Sequence, residues 1–467
     1  MSTTRRIVAV AAVGGLLALT ACGGSDESGE GGGGEDGGPL TVWTLENLPD
    51  RLAAQEEIAT AFTEESGIEV EFVGIDENQF NQLLTSSAAA GELPDIVGAL
   101  SLAGVRALSA NELVDTDVAA AVVEELGADT FSEQALTLTQ DGDAQLAVPS
   151  DGWAQLLLYR QDLFDAAGLA PPETYDDILA AAEALDSDAF AGFTGATVPN
   201  DAFTQQTFEH LALGNGCQLV DDAGEVTLGS DECVATFELY NDLITNYSVA
   251  GAQDVDTTRA TYFAGEAAMV VWSSFILDEM AGLREDALPS CPECAADPAF
   301  LAKNSGVVTA ISGPDGDEPA QFGEVVSWAV TAGAQADAAQ QFITYMMGDG
   351  YEDWLAIAPE GKVPTRKGTA DAPTAFLDAW GSLPAGVDTK APLSDFYSEE
   401  VLEVLRTSPD TVQPWGITQG QGSLVGATLG ELPVPQAISA MIGGELTPQE
   451  AAERATEDVT SIQESLE

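Results

Sequence analysis

The sequence predicts an α/β fold on a doubly wound, mostly parallel sheet, and two observations carry that expectation. One is regular strand–helix alternation near the start of the chain; the other is a sharply punctuated segment at Leu158–Leu185. LTVWTLEN (40–47) alternates apolar and polar side chains and ends in polar ones, as a strand leaving a sheet does. Arg51–Ser66 has the apolar spacing of an amphipathic helix, and IEVEFVGI (68–75) reads as a second strand, which makes a βαβ unit. A helix ending at Gly91 and the short strand DIVGAL, preceded by Pro94, continue the alternation. Ligands of such sheets sit beyond the carboxyl ends of the strands. Those ends are Trp43 to Asn47, Ile75 to Asn78 and Ala99 to Ser101.

In Leu158–Leu185, LYRQDLFDAAGLAPPETYDDILAAAEAL, Gly168 follows a short helical run where a left-handed residue ends a helix. Pro171 and Pro172 forbid continuation. Thr174 and Asp177 form a capping-box pattern, and Ile178, Leu179, Ala182 and Leu185 then recur at helical spacing, so the second helix buries one face. In QLAVPSDGWAQLLLYR (145–160), Pro149 is expected to break a strand, Ser150 to Gly152 to turn, and AQLLLY to start a new strand.

The 467 residues could hold two or three domains, with ample apolar content for large cores. Against 14 Lys plus Arg stand 78 Asp plus Glu, a formal charge of −64. Such a surface repels nucleic acid and gains nothing from anionic lipid, so no nucleic-acid partner is expected. Its self-repulsion is relieved by salt, which fits a saline habitat; solubility of an exported protein explains the acidity equally well. One histidine, His210, and five cysteines exclude a multi-histidine zinc site, and His210 sits in a helical pattern as a surface or core residue. No G-x-S-x-G elbow and no phosphate-binding G-x-x-x-x-G-K-[ST] loop is present, and GQGSLVG (420–426) reads as a flexible loop. Neither a metal nor another cofactor is expected.

Residues 1–21 have the form of an export signal: Arg5 and Arg6, then an apolar core too short to span a bilayer. Leu19-Thr20-Ala21-Cys22 looks like a bacterial lipobox, with Cys22 lipidated and new N-terminal; the alternative is an ordinary signal with a chance cysteine. Residues 22–39, rich in Gly and acid, then form a tether. The expected location is the outer face of the cytoplasmic membrane, facing the periplasm or the cell surface, held by lipid on Cys22. For an exported chain the other four cysteines suggest two disulfides, Cys217–Cys233 and Cys291–Cys294, with a redox-active C-P-E-C as the alternative.

Trp43, Trp153, Trp272 and Trp328 lie on or just beyond predicted strands, whereas Trp354 and Trp380 lie in helical runs that suggest core. A sugar offers an apolar C–H face to a ring and hydroxyls to carboxylates and amides. Glu46, Asn47, Asp76, Asp151 and Asn200 are the polar candidates beside those rings; ordinary core packing of the rings and solvation of the acids are the competing readings.

LYRQDLFDAAGLAPPETYDDIL is similar to the "YRKDLFDEAGLxPPxTWDEL" segment of family 1 extracellular solute-binding proteins, the receptors of ABC importers. RATYFAGEAAMVVWSSFI (259–276) resembles the aromatic–Gly–AAM strand of its maltose-type members, and GKVPTRKG their "lPtr" loop. QFGEVVSWAV (321–330) matches the family's return strand, AQADAAQQFITYMM its next helix, and GGELTPQEAAERATEDV, with Thr447 as cap and Pro448 at the first helical position, its closing helix. The resemblance spans about residues 40–460. It implies a periplasmic-binding-protein-like fold: two doubly wound α/β lobes, 40–149 with 324–380 and 150–323 with 381–467, joined by a hinge around a ligand cleft. It further implies no catalysis and a monomer that binds a mono- or oligosaccharide and delivers it to ABC permease subunits in the membrane. Ligand contacts are expected from Trp43, Glu46, Asn47, Asp76, Ser101, Asp151, Trp153, Asn200, Trp272, Ser273, Trp328, Arg366 and Trp415; which aromatic at the exit of the 259–276 strand stacks on sugar stays open. A cationic solute such as a polyamine is the alternative ligand, and a phosphorylated one would need Arg366 or Arg259. A secreted carbohydrate-active enzyme and a protein-binding surface lipoprotein are the alternative functions.

Overall fold

Residues 38–466 are described by the structure, a computed structural model; the export signal, Cys22 and tether residues up to Gly37 lie outside the described residues. The main sheet is built from eight strands: β1 (Leu40–Thr44), β2 (Val70–Gly74), β3 (Ile96–Leu100), β4 (Val148–Arg160), β5 (Met269–Ser273), β6 (Ser305–Val308), β7 (Gly323–Val330) and β8 (Val363–Pro364). Its order runs β8-β4-β7-β3-β1-β2, with β5 and β6 also paired to β4. β1 is parallel to β2 and β3, as the βαβ pattern requires, and the helices Pro49–Ser66 and Glu77–Ala90 supply the crossovers. The rest departs from the mostly parallel expectation. β7 lies antiparallel between β3 and β4, so the sheet is mixed: β7 returns from the far half of the molecule and enters the first sheet from the opposite end.

β4 holds the two halves together. Its first part pairs with β7 and β8, and residues 155–160 pair with β5 or β6. The alternation of side chains puts Leu157 and Tyr159 into one core of the second lobe and Leu156 and Leu158 into the other. Val148 belongs to a first-lobe core with Leu40, Val42, Ile96, Trp328 and Trp354; a further first-lobe core holds Ile75, Phe80, Val97 and Leu100. β7 likewise reaches from Val325 in a second-lobe core to Trp328 in the first.

Two sequence expectations are corrected here. Pro149 does not end a strand, and Ser150 to Gly152 do not turn: β4 runs through them, with the register shifting between Pro149 and Asp151. A bulge is where a strand tolerates a missing N–H, and the Thr365 hydroxyl donates to the Pro149 carbonyl at 2.9 Å. GQGSLVG is not a loop either, because Gly422–Glu431 is a helix with Leu424, Val425 and Thr428 buried. Gly422 lies against Arg106 of the helix Leu102–Ala110, and a Cβ there would stand 2.2 Å from Arg106 Cγ. Its glycine serves close approach, not flexibility.

The Leu158–Leu185 punctuation is as expected. Gly168 takes φ 71° after Gln161–Ala167, and Thr174 caps Tyr175–Leu185 by accepting from Asp177 N. Thr447 and Glu450 cap the closing helix Pro448–Leu466 reciprocally. Cys217–Cys233 and Cys291–Cys294 are disulfides, with Cα atoms 4.6 and 4.9 Å apart.

Candidate functional site

Where β4 passes between the lobes, the carboxyl end of β1 meets it through a chain of charges. Pro49, at the start of a helix, fixes the entry of the segment that carries Arg51 in the first turn. Arg51 Nη1 lies 2.6 Å from Glu46 Oε2, and Lys362 Nζ lies 2.6 Å from Glu46 Oε1 and 3.5 Å from Asp151 Oδ1. Lys362 also sits 4.1 Å from the Trp354 ring centre, while Trp354 Nε1 donates to Asp151 Oδ2 at 2.7 Å. The lysine is therefore enclosed by two carboxylates and a ring face, an internal ammonium cage. Burial alone would raise the Glu46 carboxyl; Lys362 and Arg51 outweigh it and hold it down to about 2.

Trp153 lies half-buried on the same strand, with Phe275 6.5 Å and Phe322 5.7 Å away between ring centres. Arg51 reaches across to Phe275, 5.5 Å from its ring centre. Gln155 follows Trp153 on the same face of β4, opposite Ser273 of β5. It is fully buried, yet neither atom of its amide has a hydrogen-bond partner among the described residues; Ser274 Oγ, just past β5, is likewise buried and unpartnered among them.

The other expected contacts are distributed differently. Trp43 is half-buried against the core with Ile75 and Phe80. Asn47 donates to the Ile75 carbonyl at 3.0 Å, and Ser101 caps the helix Leu102–Ala110 by accepting from Gly104 N. Asp76 and Asn200 are exposed, on the loop after β2 and in the turn before the helix Ala202–Gly214. Trp272 packs on Phe203 and donates to the Val255 carbonyl at 3.1 Å, inside the second lobe. Trp328 is fully buried in the first-lobe core, 4.8 Å from the Trp354 ring; Trp415 is 2% exposed and donates to the Cys217 carbonyl. Arg366 is buried on the Thr130 hydroxyl and the carbonyls of Leu126 and Met347, and Arg259 is paired with Glu279 and Asp256. Neither arginine stands open for a phosphate.

The sequence model of the bacterial extracellular solute-binding proteins matches residues 57–385. The chain belongs to that family. It is similar to YcjN of Escherichia coli K12, a protein named for an ABC-transporter periplasmic-binding role, with 27% identity over 348 residues, 72% of this chain and 76% of YcjN. The diacetylchitobiose-binding protein DasA of Streptomyces coelicolor is 26% identical over 378 residues, 78% of this chain and 82% of DasA. Among solved structures, an ABC-transporter solute-binding protein of Agrobacterium radiobacter K84 in complex with ribitol superposes with a TM-score of 0.67. It covers 91% of this chain and 99% of its own at 19% identity, a likeness of fold.

Of the two aromatics at the exit of the AAM strand, Phe275 lies beside Trp153, while Trp272 packs on Phe203. Two features of this solute-binding protein were missed by sequence reasoning. Lys362 was missed because it sits inside the GKVPTR loop with no local partner. The other is the group of carboxyls of Asp278 and Glu279, on the helix Ile276–Met280, with Glu360 in the turn Pro359–Gly361; all three are buried, and each has one oxygen without a partner among the described residues.

Proposed function

We propose that this solute-binding protein is a lipid-anchored receptor that takes a neutral mono- or oligosaccharide between its lobes and delivers it to an ABC permease. Its lobes comprise residues 40–149 with 324–380 and 150–323 with 381–467, and lipid on Cys22 holds the monomer at the outer face of the cytoplasmic membrane. The observation that carries the reading is the pair Trp153 and Gln155 on one face of the strand that crosses between the lobes. A half-buried ring flanked by Phe275 offers a surface for sugar C–H groups, and the adjacent amide, buried with both its atoms unpartnered, offers one donor and one acceptor to hydroxyls. Charge supports neutrality of the ligand. Glu46 and Asp151, the carboxylates a polyamine would seek, are already engaged by Lys362 and Arg51. DasA is named for a neutral acetylated disaccharide and the Agrobacterium protein holds ribitol, which points the same way.

A thermal-shift series with maltose, diacetylchitobiose, ribitol and spermidine tests this. A cognate sugar at a hundred times its Kd stabilises by about 2.7 kcal/mol and raises the melting point; Trp153→Ala removes the rise while the unliganded melt stays cooperative. A shift with spermidine and with none of the polyols overturns the carbohydrate assignment.

A further inference from the structure

Asp278 and Glu360 come together where three parts of the chain join: the helix Ile276–Met280 that leaves β5, the turn Pro359–Gly361 that leads into β8, and the first turn of the helix Pro49–Ser66. The two residues are 1% and 3% exposed, and Asp278 Oδ1 and Glu360 Oε2 have no hydrogen-bond partner among the described residues. Phe275 seals the junction, since a Cβ on Gly361 would stand 1.9 Å from its ring, and Arg51 of the first lobe lies over the same ring.

The charges around the pair are accounted for. Glu279, on the same helix, is bound by Arg259 at 2.8 Å, and Arg284 is bound to Asp286 at 3.1 Å. Arg51 is held by Glu46, and Lys362 by Glu46 and Asp151. Lys303, on the adjoining helix Phe300–Asn304, is paired with Asp297, and Tyr397 donates to the Leu277 carbonyl. Asp388 and the exposed Lys390, on the segment that packs against Leu283 and Glu285, complete the nearby charges, and Asp278 and Glu360 form no ion pair among the described residues.

We propose that Asp278 and Glu360 form a proton-operated latch on the solute cleft: with both carboxyls neutral the junction stays dry and the lobes stay shut, and ionisation of either draws water in and lets them part. The latch deepens the receptor reading above and rests on it for the identity of what the shut lobes hold. Burial pushes Asp278 up to about 6, and burial with the charge of Asp278 pushes Glu360 up to about 8; burial also pushes Glu279 up to about 7. An acid whose pKa is higher in the shut form than in the open, solvated form holds its proton more firmly when shut. The shut form is thus most favoured below the ordinary values of 3.8 and 4.5, and loses ground as pH rises through about 6 to about 8. Glu279 titrates in the same window but faces Arg259, and it stays in place when Asp278 and Glu360 are exchanged; elsewhere the single histidine, His210, is held down to about 3 by burial, and Glu209, pushed up to about 8, lies on the helix Ala202–Gly214.

Small-angle X-ray scattering of the full chain without solute, followed from pH 4.5 to about pH 8, tests the latch. The radius of gyration of the wild type is expected to rise across this window, and that of Asp278→Asn/Glu360→Gln to stay at the compact value. Glu209→Gln, as control, keeps the transition. A wild-type radius that ignores pH, or the same transition in the double variant, overturns the proposal. If circular dichroism shows that the double variant does not fold, Glu360→Gln alone decides: its rise is expected to be complete by about pH 6, where Asp278 titrates, and a rise that still runs to about pH 8 overturns the proposal. No solute is present, so a failure of the carbohydrate assignment leaves this result standing, and a failed latch leaves that assignment standing.

Discussion

Two buried charge clusters meet at the hinge, and they solve the same problem in opposite ways. In one, Glu46 and Asp151 are neutralised by Lys362, with Arg51 and the Trp354 ring closing the cage. In the other, Asp278 and Glu360 form no ion pair among the described residues and keep oxygens unpartnered among them. The first pushes a carboxyl down to about 2, the second pushes two up to about 6 and about 8. Burial opposes charge in both; what differs is whether a cation is held within reach. The caged cluster is a fixed pin on β4, while the uncaged one can change charge near neutrality.

Breaking the cage gives the largest expected effect. Lys362→Met leaves Glu46 and Asp151 as buried carboxylates with Arg51 their remaining cation, and removal of one partner from a buried pair costs about 3–5 kcal/mol. Urea unfolding at neutral pH measures this directly; a loss below about 1 kcal/mol would mean that water enters the site freely and that the lysine is no pin.

Next in size is the acid limb. Glu46 has its carboxyl lowered from 4.5 to about 2, so its contribution is fully present above pH 4.5 and is lost as pH falls through about 2. That contribution is on the order of 3 kcal/mol. Neutralisation of the many surface carboxylates acts in the opposite direction in the same range, so the informative quantity is the difference between wild type and Glu46→Gln. That difference should shrink as the solution is acidified, and a constant difference would show that Glu46 is not held ionised.

How much of this was readable from the chain follows from the distance over which each feature is determined. The β1-helix-β2 unit, the Gly168 stop, the Thr174 cap and the two disulfides are set by neighbours within about one element, and local spacing announces them. Pro149 and Gly422 were misread because their local meaning, break and flexibility, is overridden by a bulge and by the Arg106 side chain. The Glu46–Lys362 pair joins residues more than three hundred positions apart, and nothing near Lys362 marks it. Asp278, Glu279 and Glu360 were lost among 78 acidic residues, for any of which a solvated surface is the sound default. Tryptophan was an ambiguous guide for a similar reason: Trp153 sits half-buried at the crossing, but Trp328 and Trp415 are core, and a ring on a strand has no sequence mark that separates the two.

The smallest expected effect comes from a third buried carboxyl and sharpens the contrast. Glu209 has no ion pair among the described residues; its Oε1 accepts from Trp415 N at 2.7 Å. Burial pushes it up to about 8, with the charge of Glu324 adding to the rise and the Trp415 N–H opposing it. Its ordinary pKa of 4.5 lies well below the folded value, so the folded state binds the extra proton and stability falls as pH rises from 4.5 to about 8. Glu209→Gln keeps an acceptor for Trp415 N and removes the titration. Near pH 5 the variant should match wild type to within about 1.5 kcal/mol, the worth of one neutral hydrogen bond. Towards pH 8 it should become the more stable of the two, the opposite sign to Glu46→Gln, for which the same exchange removes a stabilising charge. Denaturant midpoints at the two pH values decide it: a Glu209→Gln variant that is equally destabilised at both would mean that Glu209 is ionised in the fold, and that burial without a cation does not suffice to keep a carboxyl neutral in this protein.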